Sequence, residues 1–463
     1  MNYYLAIDIG ASSGRHIVGW LEDGRLRTRE VYRFDNNAEM KNGHLCWNID
    51  ALYAALVAGL KRCKDTGMIP YSLGIDTWGV DFVLIDGAGG RLGDAVCYRD
   101  SRTDGMDAEV EKIIPYEELY KLTGIAKQPF NTVYQLTALK KESPELLEKA
   151  ERLLMMPDYL HYLLSGIASN EYTEASTGAL VGARERNWNG DIIKALGFPV
   201  RLFRTLNRAG DGIGVLSKAV EAEAGFSCRI TLPATHDTGS AFLAVPAAGD
   251  SVYISSGTWS LLGIESTAPI ITNEAREANF TNEGGFQYRY RFLKNIMGLW
   301  MVQSVRKELG KEQSFDQLAR MAEDTENFGT VVDVNNLAFF APQSMIGAVK
   351  EVAAETGQPP PRTTGELMQC LYRSLALSYR DAVTNLERIA GKRFGSVNLV
   401  GGGSKDDYLN RLTARFTGLP VYAGPVEATV AGNLIVQMIS SGELSDLAAA
   451  RGLIARSFDV KPY

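Results

Sequence analysis

The sequence predicts an α/β protein of two similar domains that face each other across a cleft, and three observations carry that expectation. At 463 residues the chain exceeds what one hydrophobic core usually supports. Two short polar turns, Asp8-Ile9-Gly10-Ala11-Ser12-Ser13-Gly14-Arg15 and Ser255-Ser256-Gly257-Thr258-Trp259-Ser260, open the two halves. Each lies between apolar, strand-like runs and reads as the bend of a β-hairpin. Strand-length and helix-length segments then alternate along the chain, which favours layers of helix and sheet.

The elements follow in order. Strand-like runs cover residues 3–7 and 16–20, and a third, joined at Glu22-Asp23-Gly24, ends near Phe34. A helix is expected over 49–65, where Leu52, Leu56, Leu60 and Cys63 recur every three or four residues. Residues 72–77 read as a buried strand. Three antiparallel strands, helix, strand is the opening of a ribonuclease H-like unit. Helices starting after Asn131-Thr132 and spanning 157–164 read as insertions that decorate the first domain. The stretch Pro246-Ala247-Ala248-Gly249-Asp250 punctuates the chain, so the expected domains are residues 1–246 and 247–463. Beyond it come two strands, a strand-like 286–292, a helix over 296–309 and a long helix from the Thr363-Thr364 cap to about Ala390. Met368 and Cys370 beside its apolar stripe read as core filler. Strand 396–400, helix 407–417, strand 419–423 and helix 429–440 complete the pattern.

Composition narrows the class of function. Hydrophobic residues make up 45% and charged residues 22%, the make-up of an ordinary globular protein. A net charge of −7 leaves no basic excess for a nucleic-acid surface, whereas a small anionic cosubstrate needs only local donors. Five scattered cysteines without a CxxC pair indicate neither a zinc site nor a disulfide framework, and a reduced cytoplasm is the simplest setting. No run approaches the roughly 18 apolar residues of a membrane span, and no basic leader precedes Asp8, so neither insertion nor secretion is expected. The sequence is equally compatible with a monomer and a homo-oligomer.

Several motifs can carry chemistry. The paired turns offer glycine for close backbone approach and Ser/Thr hydroxyls and N–H groups for phosphate oxygens. Asp8, at a strand end before the first turn, would sit among bound phosphates; that placement calls for a shared cation, most naturally Mg²⁺ that keeps several waters. Such an Asp can equally hydrogen-bond its own turn. Thr235-His236-Asp237-Thr238-Gly239-Ser240 follows a strand and leads into a helix. Asp237 there is either a helix cap or the acceptor of a proton from an attacking hydroxyl. Gly401-Gly402-Gly403-Ser404 closes a strand and suits backbone approach to a flat or charged ligand. There is no Walker A loop. Asp76-Thr77-Trp78-Gly79-Val80-Asp81 and Tyr98-Arg99-Asp100-Ser101-Arg102 mix aromatic, acidic and basic side chains as a sugar site would.

Taken together these motifs resemble the FGGY carbohydrate kinases. The resemblance rests on the segments quoted above and on Met156 to Tyr159, Thr281-Asn282-Glu283-Gly284-Gly285, Lys294 to Trp300 and Gly424 to Ala428, which span nearly the whole chain. It implies two ribonuclease H-like, actin-like ATPase domains with an interdomain cleft. By the same resemblance, Ala11, Ser12, Ser13, Gly14, Arg15, Thr258, Gln303 and Gly402 would hold ATP, and Gly79, His236, Asp237, Thr238 and Asn295 would meet the sugar. Asp237 would be the general base. The motifs are similar to those of the branch that phosphorylates the 1-hydroxyl of L-rhamnulose in L-rhamnose catabolism. A kinase of L-fuculose or a related ketose is the near alternative, and an actin-like or chaperone-like ATPase the alternative from another class.

Overall fold

The structure is a computed structural model that describes every residue except Ala247 and Ala248. The domain junction expected at 246/247 falls on these and so lies outside the described residues. The chain forms two compact units, one of Met1–Ala244, Glu265–Phe292 and Thr429–Ser457, the other of Val245–Ile264, Leu293–Ala428 and Phe458–Tyr463.

The first unit is built on β1 (Tyr3–Ile9), β2 (Ser13–Glu22), β3 (Arg25–Asp35), β4 (Pro70–Thr77), β5 (Gly212–Val215) and β6 (Arg229–Thr231). Their order is β5–β6–β4–β1–β2–β3. β1–β2 and β2–β3 are antiparallel, β1–β4 and β4–β6 parallel, and β5–β6 antiparallel. The β2–β3 hairpin closes on Asp23 and Gly24, both at positive φ, the backbone that a tight two-residue hairpin needs. Tyr4, Leu5, Ala6 and Ile7 are all fully buried, as expected of a central strand covered on both faces. One cover is the helix Ile49–Asp65, capped by Asn48, whose Leu52, Leu56, Leu60 and Cys63 join Leu5, Ile7 and Ile75 in the core. Residues 429–440 also pack in this unit, where a Cβ at Gly432 would lie 1.8 Å from the Ser240 carbonyl oxygen. Only glycine permits that approach. The sequence reading omitted a sheet of Phe82–Ile85, Arg91–Leu92 and Arg152–Met155 and a hairpin of Ala38–Lys41 and His44–Trp47.

The second unit repeats the plan. β7 (Ser251–Ser256), β8 (Trp259–Ser266), β9 (Tyr290–Met297, of which Leu293–Met297 lie in this unit and Tyr290–Phe292 in the first), β10 (Ser396–Val400), β11 (Val421–Ala423) and β12 (Lys461–Pro462) run in the order β9–β8–β7–β10–β11–β12. β7 is antiparallel to β8 and parallel to β10, matching β1 with β2 and β4. The long helix is Thr364–Ala390, opened by a Thr363/Glu366 capping box and closed by Gly391 at φ +66°. Met368 and Cys370 are fully buried core, as expected.

Three expected elements differ here. Phe286–Tyr288 is a short 3₁₀ turn, and the strand runs instead over Tyr290–Met297, so the helix expected from residue 296 starts at Trp300. Gly298 explains the shift: a Cβ there would stand 2.7 Å from the Ser260 nitrogen and the Trp259 carbonyl carbon, so the chain passes flat against β8 before it can coil. The strand expected over 419–423 is confined to Val421–Ala423.

Candidate active site

In the first unit the site is organised by strand register. Asp8, near the end of β1, lies opposite Arg15 on β2 and Asp76 on β4. Arg15 Nη2 stands 2.7 Å from Asp8 Oδ2. The turn between is tied by Gly10 N donating to Ser13 O at 2.9 Å, and by buried Asn36, whose Nδ2 donates to Gly10 O at 2.9 Å and whose N donates to Ser12 O at 3.1 Å. This presents Ala11 and Ser12 on a fixed turn that leads into Ser13 at the start of β2. Gly14 has a packing reason as well, since a Cβ there would lie 2.1 Å from the Phe34 ring.

Asp76 is fully buried. Its Oδ2 accepts from Asn433 Nδ2 at 2.5 Å, while Oδ1 has no hydrogen-bond partner among the described residues. Burial first, then the neighbouring Asp8 carboxylate and also Asp237, pushes its carboxyl well above the ordinary range. An orphaned carboxylate oxygen beside a second carboxylate suits a hydrated divalent cation that takes its other ligands from phosphates. No group of three His, Cys, Asp or Glu among the described residues forms a cage for a metal by itself.

The link Thr77 N to Thr235 O, 2.9 Å, brings the loop before Asp237 to the end of β4. His236 is the N-cap of the helix Asp237–Leu243 without a side-chain cap bond, so Asp237 occupies the first helical position rather than the cap. Its Oδ1 accepts from Thr238 N at 2.5 Å and Thr238 Oγ1 at 3.1 Å, and stands 3.4 Å from His236 Nε2. Burial chiefly raises the Asp237 carboxyl, Asp8 adding to the effect and His236 and Thr238 opposing it. Solvent still reaches 33% of the side chain, which tempers the shift.

Gly79 faces the same histidine: a Cβ there would lie 3.3 Å from His236 Nε2 and from Thr177 Cγ2. The next residue, Val80, has φ +72°, a costly conformation for a β-branched side chain. It is held by Thr132 Oγ1 donating to Val80 O at 2.7 Å and Val80 N donating to Thr177 Oγ1 at 3.2 Å. Behind this bend Trp78 packs on Trp47 with centroids 4.1 Å apart and the ring planes inclined at 36°. Both indole N–H groups donate to Asp81 Oδ2, at 2.9 and 2.7 Å, and Gln135 Nε2 donates to Oδ1 at 3.0 Å. Burial lifts Asp81 to about 6 despite these donors. Tyr98 is buried, with the Arg99 guanidinium 5.1 Å over its ring.

In the second unit the turn at Gly257-Thr258 is pinned by a helix start. Leu299 N and Trp300 N donate to Gly257 O and Thr258 O, both at 3.1 Å, as the chain enters the helix Trp300–Glu308 that carries Gln303. The triple glycine packs against the same hairpin. At Gly401, φ +87°, a Cβ would lie 2.8 Å from Ser256 O, and at Gly403 one would lie 2.0 Å from Ser256 Oγ, whereas Gly402 has nothing within 4 Å. The outer two glycines are explained by packing and the middle one faces open space. Asn295 lies on β9 rather than at a helix start.

Sequence reasoning thus singled out Asp8, Arg15, Gly79, His236, Asp237 and Thr238, which the first unit brings around one end of its sheet, and in the second unit Thr258 on the hairpin turn and Gly402 on the glycine loop packed against that hairpin. It assigned no role to Thr177, Glu283 or Arg291. Glu283 belongs to the Thr281–Gly285 motif, but one of its partners, His236, comes from another segment of the chain.

Two like units with hydroxyl-rich hairpin turns and a buried carboxylate cluster define a sugar-kinase type of architecture. Residues 3–244 match the N-terminal domain, and residues 252–441 the C-terminal domain, of the FGGY family of carbohydrate kinases, to which the chain belongs. It is 49% identical over 463 residues to the rhamnulokinase of Halalkalibacterium halodurans, covering 100% of this chain and 99% of that protein. It is 42% identical to the rhamnulokinase of Bacillus subtilis, covering 99% of this chain and 95% of the relative. Among solved structures, a ligand-bound xylulose kinase from Lactobacillus acidophilus superposes with TM-score 0.82 at 14% identity, over 100% of this chain and 94% of that one. Plasmodium falciparum glycerol kinase with ADP does so with TM-score 0.76 at 16% identity, over 99% and 94%. These two likenesses bear on the fold. No helix among the described residues is long and apolar enough to cross a membrane.

Proposed function

We propose that the protein transfers the γ-phosphoryl group of ATP to the 1-hydroxyl of L-rhamnulose, giving L-rhamnulose 1-phosphate, ADP and a proton. The observation that carries this reading is the placement of Asp237, a largely buried carboxylate with raised affinity for a proton, beside His236 and open to solvent on one side. Full-length relatives named rhamnulokinase favour this sugar over other ketoses. In this reading residues 1–246 supply the sugar site and the first phosphate turn, and residues 247–463 the nucleotide site. Five free, buried cysteines suit a reducing cytoplasm.

Asp237 accepts the proton of the 1-hydroxyl as its oxygen attacks the γ-phosphorus, and the bond to the β-phosphate oxygen breaks to release ADP. His236, Thr238, Gly79 and Asn295 orient the sugar. Ala11 to Arg15 and Thr258 cradle phosphates, with Gln303 and Gly402 on the nucleotide. Asp8, through water, and the unpaired Asp76 oxygen would hold Mg²⁺. Bound there, the ion supplies neutralisation of the negative charge on the phosphates.

ADP release across a panel of ketoses and aldoses tests the reading. L-Rhamnulose is expected to give the highest kcat/KM, because buried donors matched to particular hydroxyls reject analogues that leave them unpaired. Glycerol or D-xylulose as best substrate would overturn it.

A further inference from the structure

A buried ion pair lies behind His236, and no step above uses it. Glu283 is on the strand Thr281–Gly284 and Arg291 on β9. Arg291 is 1% exposed. Its Nε donates to Gly284 O at 2.9 Å, its Nη1 stands 3.0 Å from Glu283 Oε2 off the line of a hydrogen bond, and its Nη2 stands 3.0 Å from His236 Nδ1. A guanidinium so enclosed needs a compensating charge. Burial alone would raise the Glu283 carboxyl, yet Arg291, helped by His236, outweighs burial and keeps it below the ordinary range. The pair is therefore ionised and neutral as a whole.

The contact with the imidazole has a chemical consequence. A guanidinium has five N–H donors and no acceptor, so a ring nitrogen that it bonds must offer a lone pair. That nitrogen is Nδ1, which leaves the ring proton on Nε2, the atom 3.4 Å from Asp237 Oδ1 and nearest to Gly79. Glu283 pulls the other way. Its Oε2 is 3.3 Å from Nδ1 and, at an alkaline pH that keeps it ionised even without Arg291, can only accept, so there the loss of Arg291 would let it draw the proton to Nδ1. A lone pair on Nε2 would then face the carboxylate of Asp237.

We propose that Arg291, anchored by Glu283, is a positioning residue that fixes His236 with its proton on Nε2, turned toward Asp237 and the sugar hydroxyl. Its effect on rate rests on the reading of Asp237 as base, whereas the tautomer does not.

The test is nitrogen NMR on protein labelled with ¹⁵N-histidine at alkaline pH, with the His236 signals among the four histidines identified by their loss in His236→Gln. The unmutated protein is expected to show a protonated Nε2 and a bare Nδ1; the reverse overturns the proposal without any variant at Arg291. In Arg291→Met the proton is expected to move to Nδ1 and kcat to fall by about 10-fold or more, with KM for ATP unchanged. Arg291→Lys, which keeps a charged donor, is expected to recover part of both. Retention of the Nε2 proton and of kcat in Arg291→Met would overturn the proposal. Full activity of Asp237→Asn with the expected tautomers would instead overturn the base assignment and leave the positioning of His236 standing.

Discussion

At the scale of single residues, the site concentrates carboxylates that water would ordinarily keep ionised. Asp237→Asn preserves shape and removes the proton acceptor, so sugar and ATP binding by calorimetry should survive while turnover falls by roughly 10² to 10⁴. Were the carboxylate there only to accept from Thr238, Asn would serve as well and activity would be nearly unchanged. Because burial raises the Asp237 carboxyl, it is protonated at a higher pH than an ordinary aspartate. The acid limb of kcat/KM is therefore expected above the ordinary aspartate range, with activity lost as pH falls through it, and a limb at the ordinary position would contradict this assignment. Glu174 offers a stability counterpart. It is fully buried with both oxygens unpaired among the described residues, and burial, with Asp158 and Asp237 adding, pushes its carboxyl well above the usual range. A raised folded-state value means that its stabilising contribution is complete below the unfolded-state value and is lost as pH rises through the folded one. Urea unfolding of Glu174→Gln is expected to lack that loss relative to the unmutated protein; parallel pH profiles would refute it.

At the scale of elements, the two hairpins and the triple glycine make distinct demands. Gly403→Ala would drive a methyl into Ser256 Oγ and is expected to lower stability by about 1–3 kcal/mol, read as a reduced denaturation midpoint. Gly402→Ala meets nothing within 4 Å, so stability should hold while KM for ATP rises. Unchanged KM would mean that the nucleotide does not approach Gly402. Local signals made many elements legible: the helix Ile49–Asp65 was read at its observed bounds from its periodicity. The sheet pairing Phe82–Ile85 with Arg152–Met155 was not legible, because its hydrogen bonds join segments far apart in sequence and one strand, Arg91–Leu92, has two residues. The run 286–297 misled for another reason, since aromatic and apolar residues there fit strand and helix alike and Gly298 acts through a contact with β8. Asp237 could be found from its local setting at a strand-to-helix turn. Arg291, in contrast, reaches His236 across 55 positions, and no local pattern announces such a partner.

At the scale of the whole molecule, sugar and nucleotide are each expected to raise the thermal unfolding temperature, since a ligand that binds only the native state stabilises it by mass action. Absence of any shift at saturating L-rhamnulose would count against the sugar assignment. The first unit also has an unusual assembly in sequence. Residues 429–457 belong to it, and within them Gln437 Nε2 donates to Leu5 O at 3.0 Å and Asn433 holds Asp76. A polypeptide emerging from the ribosome therefore carries the whole of its N-terminal sheet while the segment that covers it is still unmade. That sheet, complete at Thr231, must wait through about two hundred further residues of translation, which makes nascent chains halted before residue 429 natural clients for chaperones, and a gene cut at residue 246 a poor source of folded protein.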